Sequence, residues 1–532
     1  MERFFNTAGP QKPDMHYTID PLSRFDLNDV LMLIRQQKYF VLHAPRQTGK
    51  TSCLLALRDL LNRQADYICV YANVEGGQAS RDDVQSVVKS TVDTLARECR
   101  LTVKSDLPLK VRDEVQGEGK DAMLTAFLSR LSQSLPKPLV LMVDEIDALV
   151  GDSLISVLRQ IRSGYANRPA AFPNSVILCG VRDVRDYRIQ TSGKDIVTGG
   201  SAFNIKSESL HLGNFTPQEI RELYGQHTDE TGQQFSDDCF PLIWSATEGQ
   251  PWLVNALGYE VTTRMKANRD RSVVITPDMV YRAQEHIIYR RDTHIDILID
   301  KLNEPRVKRV IEPMLACADD PGESLIPTDD ILYVADMGFI TLEQGRQRRI
   351  ANGIYREVIP RELTWSTQDG LQQHPLWYVR PDGSIDMTKM LTEFQQFFRE
   401  NSDNWISKFS YAEAGPQLLL QAFLQRVVNG GGYIDREYGL GRRRTDLLVR
   451  KPLANGDMQH VVIELKVRRA KDGPDALIAK GLEQTADYMD RVGSVDEGHL
   501  VVFDRDGSKS WEERIWHRPA ECRGKAIMLW GM

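Results

Sequence analysis

Cysteine is scarce and never paired in this sequence. Its seven cysteines, at 53, 69, 99, 179, 239, 317 and 522, include no Cys-x-x-Cys. That argues against a disulfide framework and a thiolate zinc site, and fits a reducing, cytoplasmic setting. No stretch of about 18 apolar residues occurs, so neither a membrane span nor a membrane partner is expected. The opening Met1-Glu2-Arg3-Phe4-Phe5-Asn6 lacks the long apolar core of a secretory signal. Positive charge is not in excess: 67 Lys/Arg face 74 Asp/Glu, a net charge of −7. This excludes a globally basic nucleic-acid binder and confines any such contact to a local patch. Internal repeats and low-complexity tracts are missing too. What remains is ordinary, with 41% hydrophobic and 27% charged residues. A chain of 532 residues has room for about three or four domains with their own cores.

The stretch that organises the chain begins at Tyr39. Phe40 to Leu42 reads as a buried strand. It runs into Ala44-Pro45-Arg46-Gln47-Thr48-Gly49-Lys50-Thr51-Ser52, and the following Cys53-Leu54-Leu55-Ala56-Leu57 has helical periodicity. Strand, loop and helix in this order form the Walker A phosphate loop. Phosphate needs converging backbone N–H groups, a helix N-terminus and one cation. Gly49 permits close approach, Lys50 would reach the β/γ-phosphates, and the Thr51 hydroxyl would hold Mg²⁺. Ala44 replaces the first glycine of the pattern.

Downstream, Pro138-Leu139-Val140-Leu141-Met142-Val143-Asp144-Glu145 is a continuous apolar run ending in two acids. A buried parallel strand has this pattern, and ligands bind at its carboxyl end. Asp144 would hold the Mg²⁺ shell and Glu145 would activate the attacking water. Asp147 is a supporting carboxylate or a helix N-cap. The next strand, from Asn174, ends in Gly180-Val181-Arg182-Asp183, where a γ-phosphate sensor would sit; Arg182 and Asp183 are the candidates. Arg159, Arg162 and Arg168 could supply an arginine finger to a neighbouring copy in a homo-oligomer. Surface ion pairing is the plainer role for each.

Between these landmarks the chain alternates strand and helix. A strand is expected over 66–73 and helices near 28–37, 81–97 and 124–135, with 100–122 as an insertion. The leader from His16 to Phe25 would pack beside a bound adenine or dock on the sheet edge. Thr216-Pro217-Gln218-Glu219 signals a helix start, and Gly249-Gln250-Pro251 breaks one helix and starts another. Residues 295–365 read as two helices, a short strand from Phe339, a basic wing around Arg348-Arg349 and a return, in winged-helix order. A spacer that never touches DNA is the alternative. Turn signals suggest a linker over 366–405, with a helix expected from Asp386 to Arg399.

A second chemical constellation follows. A helix over 416–428 ends at Asn429-Gly430-Gly431-Gly432, and strands are expected over 433–438, 441–450 and 459–467. A helix over 475–491 and a last strand over 499–503 complete it. Strand alternation puts Glu464 and Lys466 on one face and Ile463, Leu465 and Val467 toward the core. Asp446 stands on the neighbouring strand. Two carboxylates suit Mg²⁺, and Lys466 would steady the nucleophile or the developing charge. Gln484 and Tyr488 share a helix face, and Glu413 could add a carboxylate. Between Asp435 and Lys471, ten Lys/Arg stand against five Asp/Glu, a basic patch suited to a phosphate backbone. The plain alternative for Glu-x-Lys on a strand is a solvated pair.

Residues 411–504 resemble the PD-(D/E)XK nuclease superfamily, through Asp446, Glu464-Leu465-Lys466 and Gln484-Thr485-Ala486-Asp487-Tyr488. Thr445 stands where the superfamily's name has proline. Residues 1–260 resemble AAA-like ATPases of the STAND and archaeal-ATPase kind, through the phosphate loop, Asp144-Glu145 and Gly249-Gln250-Pro251. These resemblances imply an α/β fold: a P-loop parallel sheet (1–215), a helical lid (216–290), a winged helix (291–365), a linker (366–405) and a nuclease-like α/β domain (406–532). They imply ATP and Mg²⁺ as cofactors and nucleic acid, DNA before RNA, as partner. The combination resembles ATPases fused to such a nuclease, found in bacteria and in mobile or defence contexts. Read with the residues, it suggests an ATP-gated nuclease. The alternatives are a nucleotide-switched DNA-binding or signalling protein and an oligomeric remodelling ATPase.

Overall fold

The computed structural model describes residues 2–183, 188–190, 196–198, 203, 205–290, 292–315, 326–342, 348–363, 378–406, 419–420, 423–424, 433–440, 443–453, 455–468, 473–492, 495, 497–504 and 509–532. The chain divides into two compact units. One is Met1–His294 with Tyr333–Ile340, the other Ile295–Leu332 with Thr341–Met532.

The first unit is built on a parallel sheet. Its strands are β1 (Tyr39–His43), β2 (Ile68–Asn73), β3 (Leu139–Asp144), β4 (Ser175–Gly180) and, beyond a short hairpin of β5 (Arg188–Gln190) and β6 (Ile196–Thr198), β7 (Lys206–His211). The order is β2-β3-β4-β1-β7, with neighbouring strands parallel throughout. Strand alternation sends successive residues to opposite faces, and both faces are covered. Phe40, Leu42, Val140 and Met142 meet α1 (Leu27–Arg35) and α2 (Lys50–Gln64). Val41, Leu141, Val143 and Leu178 meet α3 (Val84–Val103), α4 (Leu107–Glu114), α5 (Met123–Ser134) and α6 (Gly151–Ser163). Two covered faces explain why these strands read as unbroken apolar runs.

Two local expectations change here. Residues 100–122 are no insertion: α3 runs on to Val103, and α4 buries Val111 in the same core as α3 and α5. The leader divides between two surfaces: Leu22 and Phe25 pack on the sheet-face cluster of Phe40 and Leu42, and Thr18 bonds to Gln226. The chain before it packs on the helices α7 (Pro217–Thr231), α8 (Cys239–Thr247) and α9 (Pro251–Tyr259). The Phe5 ring lies 4.9 Å from that of Tyr224, and the Trp252 indole N–H donates to the Thr7 carbonyl at 2.8 Å. The α7 start is a complete capping box, Thr216 with Glu219, and Pro251 opens α9. Helix α10 (Pro277–Arg290) ends this run.

The second region begins with α11 (Thr293–Leu302), α12 (Pro305–Leu315) and α13 (Thr328–Asp336). A two-stranded sheet follows, β8 (Ile340–Leu342) with β9 (Arg348–Ile350), and then α14 (Gly353–Leu363). The chain after Arg348-Arg349 thus turns into a helix. Helix α15 (Met387–Ile406) begins where a helix is expected from Asp386, and its Met390, Leu391 and Phe394 are fully buried.

The second sheet has six strands, β10 (Tyr433–Leu440), β11 (Arg443–Pro452), β12 (Met458–Arg468), β13 (Glu497–Asp504), β14 (Trp516–Cys522) and β15 (Lys525–Gly531), ordered β10-β11-β12-β13-β15-β14. The first three are antiparallel, β12, β13 and β15 are parallel, and β14 is antiparallel to β15. One face packs on α15; the other packs on α16 (Pro474–Val492). The strand at 499–503 is therefore not the last: β15 pairs with it and β14 forms the edge. Pro519 lies in β14, where an edge strand tolerates a missing donor.

Candidate active sites

The first site lies at the carboxyl ends of β1, β3 and β4. Gly49 has φ +93° and hands the loop to α2, whose first residue is Lys50. A side chain is strained at that φ, so glycine is required. Lys50 is buried, and its Nζ donates to the Ala44 and Pro45 carbonyls at 2.9 and 3.0 Å. The ammonium is thereby kept inside its own loop, aimed where a phosphate would compete for it. Ala44 is fully buried, and its N–H donates to the Gly180 carbonyl; its methyl group is accommodated inside the sheet. Thr48 Oγ1 donates to the Pro45 carbonyl at 2.8 Å. Ser52 Oγ accepts the Gln11 N–H at 3.0 Å, so the leader touches this helix. Arg46 and Gln47 are exposed, and the Gln47 carbonyl accepts from Gln250 Nε2 at 3.5 Å. Gly249, just before, has φ +72°, and a Cβ there would lie 1.9 Å from the Phe215 carbonyl oxygen.

Thr51 and Asp144 meet as the sequence predicts. Thr51 Oγ1 donates to Asp144 Oδ2 at 2.8 Å. Tyr71 OH donates to the same oxygen at 2.9 Å, and the Glu145 N–H donates to Oδ1 at 3.0 Å. Glu145 is half-buried and left-handed at φ +56°, a conformation that costs about 1–3 kcal/mol and concentrates at functional sites. Burial first, then Asp147 and Asp144, push its carboxyl above the usual glutamate range; Lys50 and Arg46 oppose them. Asp147 is not an N-cap. It lies in a single turn, Ile146–Ala148, with Oδ1 buried and unpartnered. Arg182 is also buried, but its Nε donates to Asp336 Oδ2 at 2.9 Å and its guanidinium lies 5.2 Å from the Tyr333 ring centre. Of the three finger candidates, Arg168 stacks on Tyr165 at 3.3 Å and is committed to packing, while Arg159 is exposed.

Three residues the sequence reading missed belong to this site. Tyr71 is the second hydroxyl on Asp144. Cys179 lies beside it, its thiol raised by burial and by that carboxylate. His211 stands at the β7 end opposite His43, with ring centres 5.3 Å apart. Burial and then Lys50 lower its pKa. A polar residue two places from the end of an apolar strand, as Tyr71 is, was the available signal. Loop and carboxylate donors such as these fit a nucleotide triphosphate with a hard cation.

The second site is on β12. Glu464 is 2% exposed, and Lys466 Nζ donates to its Oε1 at 2.7 Å. Ile463 and Leu465 point into the core under α15, as alternation requires. The Glu464 face is covered as well: Val462, on the same face, packs with Tyr488 of α16 and Leu500 of β13. The pair is therefore no solvated cross-strand contact. The antiparallel register pairs Leu447 with Ile463; one further step puts position 446 opposite Glu464. The side chain of Asp446 and the whole of Glu413 lie outside the described residues. Tyr488 is buried, and Gln484 Oε1 is buried without a hydrogen-bond partner. Among the described residues no three His, Cys, Asp or Glu side chains gather. The Glu464 carboxylate, an oxygen ligand, suits a hard cation better than a soft one.

Residues 34–187 match the family described as AAA domain. No curated protein matches the chain. Among solved structures, it is similar to the Walker-type ATPase PABY2304 of Pyrococcus abyssi at 14% identity, covering 67% of this chain and 99% of that one, with a TM-score of 0.46. It is also similar to the Aeropyrum pernix ORC2 protein (13% identity, 62% and 91% covered, TM-score 0.36) and to Cdc6p from Pyrobaculum aerophilum (13%, 80% and 96%, 0.36). Likenesses at these scores carry nothing further for this chain. No described helix is long and apolar enough to cross a membrane.

Proposed function

We propose that this chain, whose residues 34–187 form an AAA-type P-loop ATPase domain, is an ATP-gated, Mg²⁺-dependent nuclease that cuts nucleic-acid phosphodiester bonds, with DNA as the substrate. The observation that carries the nuclease half is the buried Glu464 carboxylate, paired at 2.7 Å with the partly buried Lys466, beneath a helix and one register step from position 446. Burying a charged pair is costly unless something is gained by it.

Each chemical group then has a task. Lys50 exchanges its two loop carbonyls for the β/γ-phosphates. Thr51 and Asp144 hold the cation that accompanies ATP. Glu145, its basicity raised by burial, takes the proton of the attacking water. Arg182 is the candidate γ-phosphate contact, once it leaves Asp336. At the second site Glu464 and Asp446, with Glu413 as a further candidate, would hold Mg²⁺. Lys466 steadies the nucleophile and the charge growing on the phosphate, while Gln484 and Tyr488 line the approach from α16. Bound Mg²⁺ supplies Lewis-acid polarisation and a hydroxide nucleophile at neutral pH. Residues 291–365 serve as a winged-helix-like relay between turnover and cutting.

Plasmid nicking with Mg²⁺ or Mn²⁺, with and without ATP, tests the reading. Glu464→Gln is expected to remove cleavage and spare ATP turnover. Lys50→Ala is expected to remove turnover together with the ATP dependence of cleavage. Cleavage that survives Glu464→Gln sinks the nuclease assignment. DNA binding without nicking by the unaltered chain favours the nucleotide-switched binding protein instead.

A further inference from the structure

The face of β12 that carries Glu464 does not stop there. Val462, Glu464, Lys466 and Arg468 recur every second residue in one row. At its C-terminal end the row opens into a cavity of about 360 Å³, bounded by β13, β14 and the first turns of α16. That volume is in the range of small-ligand sites.

The walls are of two kinds. Arg468 Nη1 donates to both oxygens of Asp504, at 2.7 and 2.8 Å, and Lys509 Nζ adds a third bond to Oδ2 at 2.8 Å. One carboxylate is thus shared by two cations. Arg518 is exposed, and its guanidinium lies over the Trp516 ring, 5.0 Å from its centre, so a base stacking there would take its place; Asp475 is the remaining acid in the lining. Three cations face two carboxylates, and Val502 and the Trp516 indole supply the apolar side. The indole rests where Gly531 leaves room: a Cβ at 531 would lie 2.3 Å from its Cε2 and Nε1. An aromatic face beside cations takes a base and its phosphate together, because bases of every kind stack and the phosphate needs only charge. Lys466 and Arg468 are two residues apart, about 7 Å along a strand, so the cavity adjoins the Glu464–Lys466 pair.

We propose that this cavity binds one nucleotide unit, its base stacked on Trp516 and its phosphate held by Lys509 and Arg518. It would thereby seat a strand along Lys466 and Glu464, a final step that rests on the nuclease reading. The same chemistry could be met by a strand or by a free nucleotide.

Fluorescence anisotropy of the full chain with 3′-fluorescein-labelled dT12, in EDTA so that nothing is cut, tests it. Lys509→Ala with Arg518→Ala should weaken binding at least tenfold and lower the slope of log affinity against log salt by about 1.4, two single-strand phosphate contacts' worth. Arg518→Ala alone should lower the slope by about 0.7. Trp516→Leu should weaken binding about fivefold or more. Displacement of dT12 by dTMP assigns a free nucleotide; displacement by unlabelled dT12 alone assigns a strand. Unchanged affinity and salt slope in both cation variants overturn the proposal. If that happens while Glu464→Gln abolishes cleavage, the cavity fails and the nuclease reading stands. If Glu464→Gln still cleaves while the cation variants lose dT12, the nuclease reading fails and the cavity stands.

Discussion

Glu145 shows how one residue's chemistry is set by its neighbours. Its backbone is strained at φ +56°, and its carboxyl is raised by burial and by Asp147 and Asp144. A base acts only when deprotonated, so the acid limb of ATP turnover should lie above the ordinary glutamate range of about 4.3. Asp147→Asn removes the second-largest cause and should move that limb to lower pH, read from a kcat–pH profile; an unmoved limb contradicts the assigned role. The linkage to stability has the same origin. A carboxyl raised on folding contributes stability that is present below its unfolded pKa and withdrawn as pH rises through the folded value. The identities of Lys50, Thr51, Asp144 and Glu145 were legible from sequence because a phosphate loop and an acidic strand end are contiguous patterns. Tyr71 was not, since nothing near it in sequence says that it meets Asp144, 73 residues away.

Elements meet where local pattern says nothing. The last turn of α13 supplies Tyr333 and Asp336 to Arg182 at the end of β4, 154 residues earlier. Gly338, two residues on, comes so near the phosphate loop that a Cβ there would lie 2.9 Å from Pro45 Cβ. Arg182 Nη2 is already buried without a partner, so losing Asp336 would strand most of a buried cation. Asp336→Ala should cost about 3 kcal/mol in denaturant unfolding, and adding Arg182→Ala should recover part of that loss. A strictly additive double variant would mean the pair is not coupled. The helix at 328–336 was legible from its periodicity, as was the capping box of α7. The hairpin of β14 and β15 was not, because Pro519 and the charged residues of β14 disguise an edge strand.

The whole molecule is two units with separate cores, the first around the parallel sheet and the second around the six-stranded one. Separate cores should unfold in separate cooperative steps. Calorimetry should therefore resolve two transitions, and ATP with Mg²⁺ should raise only one of them. A concentration 100 times Kd adds about 2.7 kcal/mol to the unit that binds, and Lys50→Ala should erase the shift. A single transition raised as a whole would contradict independent cores. The phosphate loop, the acidic end of β3 and the alternation that sets Glu464 and Lys466 on one face are legible in the chain alone, because each depends on residues adjacent in it. Folding alone reveals that Thr51 and Tyr71 share Asp144, that Asp336 holds Arg182, that β15 enters between β13 and β14, and that the Glu464 face is roofed by α16. These are pairings of remote segments, set by register and by which apolar faces pack together, and no local periodicity encodes them.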